Sequence, residues 1–351
     1  MNKKVLPIQY PIVSNYPQHA YYFSIISANE NCLPWIYSNY LNMCLMQSGK
    51  DCFLDYYAQS PEHHFHPCFT DTQRILRSTI LKFIPDIVEF LKEQVQQDNY
   101  IWLHVNEYYI PGSPAYQRFT FPHAIFIYGF DDNERRFNIS GFLENGKYKT
   151  TYASYSDIEK SFYDFGKTHI DNDVTQHVNY MHLLKLYPEH HKGLPYQFDM
   201  KFVAEQIKEY YESKNLSLNY QSFYSHKSYS EWTYGIDILP KLIEYYSLHL
   251  EDSAQFDVRP LYTLYDYKKL MVSRIRYIEE NKLYDLNPVF LEGFIKIKEK
   301  SQNILNLYIK YALTRDKKCS HKLMILFNEL YLNEQVLLEQ LLNDFSKESL
   351  L

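Results

Sequence analysis

Cys32 stands where a helix is predicted to begin, and His123 opens an apolar strand, His123-Ala124-Ile125-Phe126-Ile127-Tyr128. A thiol is a weak nucleophile until it becomes a thiolate, and a helix N-terminus and a nearby imidazole both favour the anion. A cysteine at a helix head also aims its own backbone N–H at a developing oxyanion. Together, the two residues would form or break an acyl bond. Taken singly, each has an ordinary reading, since cysteine is among the most buried residue types and usually packs. It is their order along the chain that joins them: cysteine helix, sheet, histidine strand, hairpin. Asn29 and Asn31 are placed either to donate to an oxyanion or to cap the helix.

Other residues have weaker claims. His63, His64, His66 and Cys68 are dense, but their spacing matches no common zinc site, so the group reads as a loop and no metal is expected. His190 and His191 fall in a linker. Asn106 and Glu107 follow a strand, where a loop would shape a substrate channel. Lys268, Lys269, Arg274 and Arg276 on a predicted helix read as a solvated face, with an acidic carrier protein as the alternative.

The elements that would position Cys32 and His123 are legible in part. Residues 8–30 show no helical period. From Cys32, with Pro34 in the first turn, Ile36, Tyr37, Tyr40, Leu41, Cys44 and Leu45 follow a helical repeat. A second helix is predicted over Thr72 to Gln97, kinked or divided at Pro85. Strands follow at 101–105, 123–128, 136–139 and 147–152, with Asn145-Gly146 as a hairpin turn. Ser156 and Glu159 form a capping box for a short helix. From 196 onward the chain reads as helical: Asp199 caps one helix, and others run from about Asp257 to Glu280, Asn287 to Leu313, and Lys322 to Phe345. The fold class is α+β: a catalytic domain over 1–175, a linker at about 176–195 and a helical domain over 196–351.

Composition narrows the function. The net charge of −6 over 351 residues provides no basic field for nucleic acid or an anionic membrane. No apolar run approaches the ~20 residues of a membrane span, and Met1 to Pro7 lack a signal-peptide core, so a cytoplasmic location is expected. Five irregularly spaced cysteines fit a reduced compartment better than a disulfide framework. The chain has only nine glycines and neither common phosphate-loop pattern, which disfavours a nucleotide site.

The order of Cys32 and His123, and the stretch His123 to Asp132 with Gly129 between aromatic residues, resembles papain-like cysteine peptidases. Asn31-Cys32, the His123 strand, and the segment 137–148 resemble more closely the butirosin biosynthesis protein H N-terminal group, related to bacteriocin-leader peptidases. The segments 196–199, 234–237 and 257–261 resemble phrases of similar Gram-positive proteins, so the likeness spans most of the chain. It implies a papain-like fold whose Cys-bearing helix packs on an antiparallel sheet. It also implies an acyltransferase that takes an acyl group from a carrier-protein phosphopantetheine thioester to an amine, with no resident cofactor. The cysteine-protease homologue of closthioamide biosynthesis forms amides in this way.

Two positions depart from that pattern. The family's imidazole-orienting Asp or Asn falls on Gly141, which leaves Asn138, a dyad, or an inactive relative. The usual oxyanion-hole Gln falls on Ile26. Three functions therefore stand: an amide-forming acyltransferase in antibiotic biosynthesis, a peptidase or thioesterase on the same residues, and a non-catalytic helical binding protein. The partners expected are an acyl or peptidyl carrier protein and a small amine, with the long C-terminal helices offering surface for a homo-oligomer.

Overall fold

The structure, a computed structural model, describes residues 2–49, 51–56, 68–168, 177–187, 196–215, 232–250, 256–347 and 350–351. In chain order the elements are β1 (Lys3–Val5), α1 (Pro17–Ile26), α2 (Leu33–Ser38), β2 (Met43–Ser48), β3 (Asp51–Tyr56), β4 (Phe69–Leu76), α3 (Arg77–Phe83), α4 (Ile87–Gln96), β5 (Tyr100–Asn106), β6 (Pro122–Asp131), β7 (Arg136–Leu143), β8 (Lys147–Ser154), α5 (Tyr155–Thr168), β9 (Tyr180–Leu186), α6 (Met200–Tyr211), β10 (Thr233–Tyr234), α7 (Ile238–His249), α8 (Arg259–Glu280), α9 (Val289–Thr314) and α10 (Lys317–Lys347). The chain is mixed α+β, with an antiparallel sheet and a helical C-terminal region.

It forms two compact units, and their boundaries are not the expected ones. Met1–Cys32 joins Glu62–Pro195, while Leu33–Pro61 joins Tyr196–Leu351. The expected linker at 176–195 contains β9, a strand inside the sheet.

The first unit is built on a seven-stranded sheet in the order β4-β9-β5-β6-β7-β8, with β1 paired to the far end of β6. Central β5 is buried along its whole length, as expected for an apolar run covered on both faces. Helix α1 packs on this sheet: the Tyr21 ring stacks on Phe126 at 5.2 Å, and Tyr22 meets Trp102 edge-on. Every residue from His19 to Ile26 is buried. A helix without a polar face has no amphipathic stripe, so 8–30 showed no period.

Other expectations shift for local reasons. Thr72 to Leu76 belong to β4, and the predicted long helix is two short ones divided at Pro85, with the Asp86 carboxylate accepting from the Glu89 N–H at 3.0 Å. The α5 cap lies two residues earlier than predicted: Ser154 Oγ accepts from the Asp157 N–H at 3.1 Å and donates to its carboxylate at 2.7 Å. Asn145 and Gly146 both take positive φ, 60° and 70°, as the turn signal requires.

In the second unit a three-stranded sheet, β10-β2-β3, accompanies the helices. The predicted helix from Cys32 through Leu45 is instead a short 3₁₀ turn, Glu30–Cys32, then α2, which stops at Ser38 before strand β2. Tyr40, at φ 57°, makes the break. Met43, Leu45, Met46 and Gln47 are good helix formers, and the pairing with β3 overrides that preference. Lys268 and Arg274 are almost wholly buried, which overturns the solvated-face expectation for them. Lys268 Nζ lies 2.5 Å from both oxygens of buried Glu334. The Arg274 guanidinium donates to the carbonyls of Tyr37, Asn39 and Tyr40, closing the end of α2.

Candidate active site

His123 is the second residue of β6 and pairs with Val105 of β5. Where β5 ends, Asn106 fastens the chain. Its side-chain oxygen accepts from the N–H groups of Tyr108 and Phe121, both at 3.1 Å, and its amide donates to Asp164 at 2.5 Å. The Glu107 N–H donates to the Phe121 carbonyl at 2.8 Å. These bonds bring the 3₁₀ turn Glu107–Tyr109 against the first residues of β6.

The result is a buried carboxylate on an accessible imidazole. Glu107 Oε1 lies 2.8 Å from His123 Nδ1, with side-chain exposures of 0% for the acid and 27% for the histidine. The other oxygen, Oε2, accepts from Ser113 Oγ at 2.6 Å, and Ser113 Oγ in turn accepts from the Ala115 N–H at 3.1 Å. With Nδ1 donating to the carboxylate, Nε2 is left as the proton acceptor. Phe121 stacks on the imidazole at 5.4 Å, and Phe142 meets it edge-on at 6.2 Å. Phe119 and Phe121 are themselves exposed and in contact, forming an apolar rim.

From α1, the Tyr21 hydroxyl reaches this end of the sheet and donates to the Ala124 carbonyl at 2.6 Å. Burial first, and the Glu107 charge second, push its pKa well above the usual phenol range. Tyr21 therefore stays protonated. A Cβ built at Gly141 would meet Leu143 at 3.6 Å and this hydroxyl oxygen at 3.8 Å, both ordinary contacts.

Asn138 does not orient the imidazole. It pairs with Gly129, six residues along β6 from His123, which at ~3.3 Å per residue is about 20 Å away. Its side chain hydrogen-bonds to Tyr128 instead. The residue that orients the ring, Glu107, lies before the histidine in sequence. The only signal for it was an acid directly after the strand that neighbours the histidine strand.

Cys32 is not brought to His123. The group it acts on is Cys68, whose pKa it pushes up together with burial, and Cys68 is fixed by its carbonyl, which accepts from the Tyr187 N–H at 3.1 Å. The next residue, Phe69, pairs with Leu186, at the end of the sheet where β5 begins, whereas His123 pairs where β5 ends. With two strands between them as well, the separation is about 20 Å or more. The helix that packs on the sheet is α1, and Asn15, Tyr16, Pro17 and Gln18 stand at its head, with no cysteine.

Asn29 and Asn31 stay with Cys32. The Asn29 side chain accepts from the Asn31 N–H at 3.0 Å, a local turn, and Asn31 is exposed. Neither forms an oxyanion hole at His123. His63, His64, His66, His190 and His191 lie outside the described residues. Among the described residues, no group of three or more His, Cys, Asp or Glu is placed to hold a metal, and no helix is long and apolar enough to cross a membrane.

No protein-family model matches the chain, and no curated protein matches it.

Proposed function

We propose that the first unit is a papain-like derivative that handles acyl groups through His123 as a general base, without Cys32 as a nucleophile. The observation that carries this is the His123 imidazole, accessible to solvent and held through Nδ1 by wholly buried Glu107, which leaves Nε2 to exchange a proton. A carboxylate that fixes the tautomer and steadies the imidazolium is what proton transfer at Nε2 requires.

The transfer is direct. His123 Nε2 takes a proton from an amine as its nitrogen attacks the carbonyl carbon of an acyl thioester. The C–S bond then breaks, and the leaving thiolate takes the proton back from the imidazolium. An amide and a free thiol result. The carrier-protein thioester and the amine are the substrates that the family resemblance implies, and the exposed Phe119–Phe121 rim suits an acyl chain. A non-catalytic binding protein is the second reading, favoured by the distance between Cys32 and His123.

The test is turnover of an acyl-thioester mimic with a panel of amines, followed by product analysis and intact-protein mass. Wild type and Cys32→Ala should form amide with no acyl adduct on the protein, and His123→Ala should not. An acyl adduct on Cys32 would restore the covalent mechanism. Failure of wild type with every acceptor, with carrier-protein binding intact in His123→Ala, would establish the binding protein.

A further inference from the structure

Helix α10 has two apolar sides, and only one of them is covered by its own unit. Leu323, Phe327, Leu330, Leu337 and Leu341 are buried where α10 packs on α6, α7 and α9. From Lys318 to Asn343 the opposite side advances by alternating steps of four and three residues, the spacing of a coiled-coil seam. Every residue on that line is exposed. Its apolar members are Ile325, Leu332 and Val336, at 46%, 57% and 54% exposure. They are consecutive along the line except for Glu329, whose carboxylate is matched within the same chain by Lys300 of α9 at 2.8 Å.

Charge along α10 is sorted by sign. Lys317, Lys318 and Lys322 come first, with no acid in 317–328; Glu329, Glu334, Glu339 and Asp344 follow, with no Lys or Arg in 329–346. Lys317 and Lys318 stand in the first turn, where the helix dipole favours acids. The sorting therefore does not serve the helix by itself. It does serve a second α10 laid antiparallel to the first.

We infer that this face of α10 is an interface with a second copy of the chain, the two helices running antiparallel about a two-fold axis. With the axis between Leu330 and Tyr331, Ile325 of one copy meets Val336 of the other. The two Leu332 side chains meet at the centre, about 4.5 Å apart along the helix direction. Lys322 faces Glu339 at each end of the apolar stretch, and Lys318 faces Asn343 beyond it. The same patch is thus complementary to itself in shape of pattern and in charge, as a two-fold contact requires, and it closes at two copies. A parallel pairing would set Lys322 against Lys322 and Glu339 against Glu339, and like charges so placed repel. One helical seam is narrower than a standard protein interface, so the dimer is reversible.

The test is sedimentation of the full chain over a concentration series from about 1 to about 200 µM, a range that spans weak association. Wild type should pass from monomer to dimer, and Leu332→Asp should stay monomeric throughout. Lys322→Glu and Glu339→Lys each create two like-charge contacts in the antiparallel dimer, and each should weaken it by about tenfold. The double variant Lys322→Glu/Glu339→Lys restores opposite charges and should return to the wild-type affinity. All three positions are exposed, so circular dichroism should be unchanged in every variant. Monomer at every concentration, a dimer indifferent to Leu332→Asp, or a double variant no tighter than the singles would overturn the interface as drawn.

Discussion

A carboxylate shut away from water must find donors, and Glu107 finds two, His123 Nδ1 and Ser113 Oγ. Removing it strands both. Glu107→Ala should lower stability by about 2 kcal/mol, the cost of orphaned buried partners, and cut amide formation by about 100-fold or more, since the imidazole loses its tautomer lock. Glu107→Gln keeps the shape and should fold nearly as well while remaining slow. Asn138→Ala should leave the rate within about two-fold, being some 20 Å away along β6. Rates and urea midpoints for the three variants check this; equal rates in Glu107→Gln and wild type would remove the carboxylate from the chemistry. His123 was legible because a histidine opening an apolar strand is conspicuous. Glu107 was not, because it is orienting only once β5 and β6 are known to be neighbours. Cys32 was misleading, because helix-start signals at Asn29 and Asn31 mark a 3₁₀ turn as readily as the head of a long helix.

At the scale of elements, β5 to β8 were read at nearly their true positions, while β4 and β9 were missed, as was the β2–β3 hairpin despite Gly49 in its turn. β6, β7 and β8 follow one another through short turns, so their pattern is local. β4 and β9 are far apart in sequence and pair with each other, so no window of sequence contains the reason for either. The α5 cap gives a direct comparison. Ser154→Ala should cost about 1 kcal/mol, and Ser156→Ala, on an exposed side chain, should stay within about 0.5 kcal/mol. Guanidinium-chloride midpoints distinguish them, and the reverse order would restore the predicted Ser156 box. Between α8 and α10, Lys268 and Glu334 form an ion pair that burial makes sensitive to loss of either member. Burial is also what pushes the Lys268 pKa down, against the Glu334 charge that opposes it. Lys268→Met should destabilise by about 3–5 kcal/mol because it leaves a buried carboxylate unpaired. Adding Glu334→Leu should recover most of that loss, a coupling that a double-mutant cycle measures.

The molecule as a whole is divided by its contacts rather than by its sequence order. Residues 196–351 look like a complete helical domain in sequence, yet 33–61 supply part of that unit's interior. β10 pairs with β2. The Gln206 amide donates to the Ser38 carbonyl at 2.6 Å. Arg274, with no exposed surface, has α2 and the residues just after it as its carbonyl partners. A fragment beginning at 196 would leave that guanidinium without those acceptors in an apolar interior, which the chain avoids by loosening around it. The expectation is that 196–351 alone keeps helical circular dichroism but melts broadly, binds a hydrophobic dye and gives poorly dispersed NMR spectra, the signs of lost specific packing. Supplying 33–61 at its N-terminus through a flexible linker should restore a sharp transition. A cooperative melt for 196–351 alone, at a midpoint matching the linked form, would mean that the excursion is an ornament on a self-sufficient helical domain and that the chain divides where its sequence suggests.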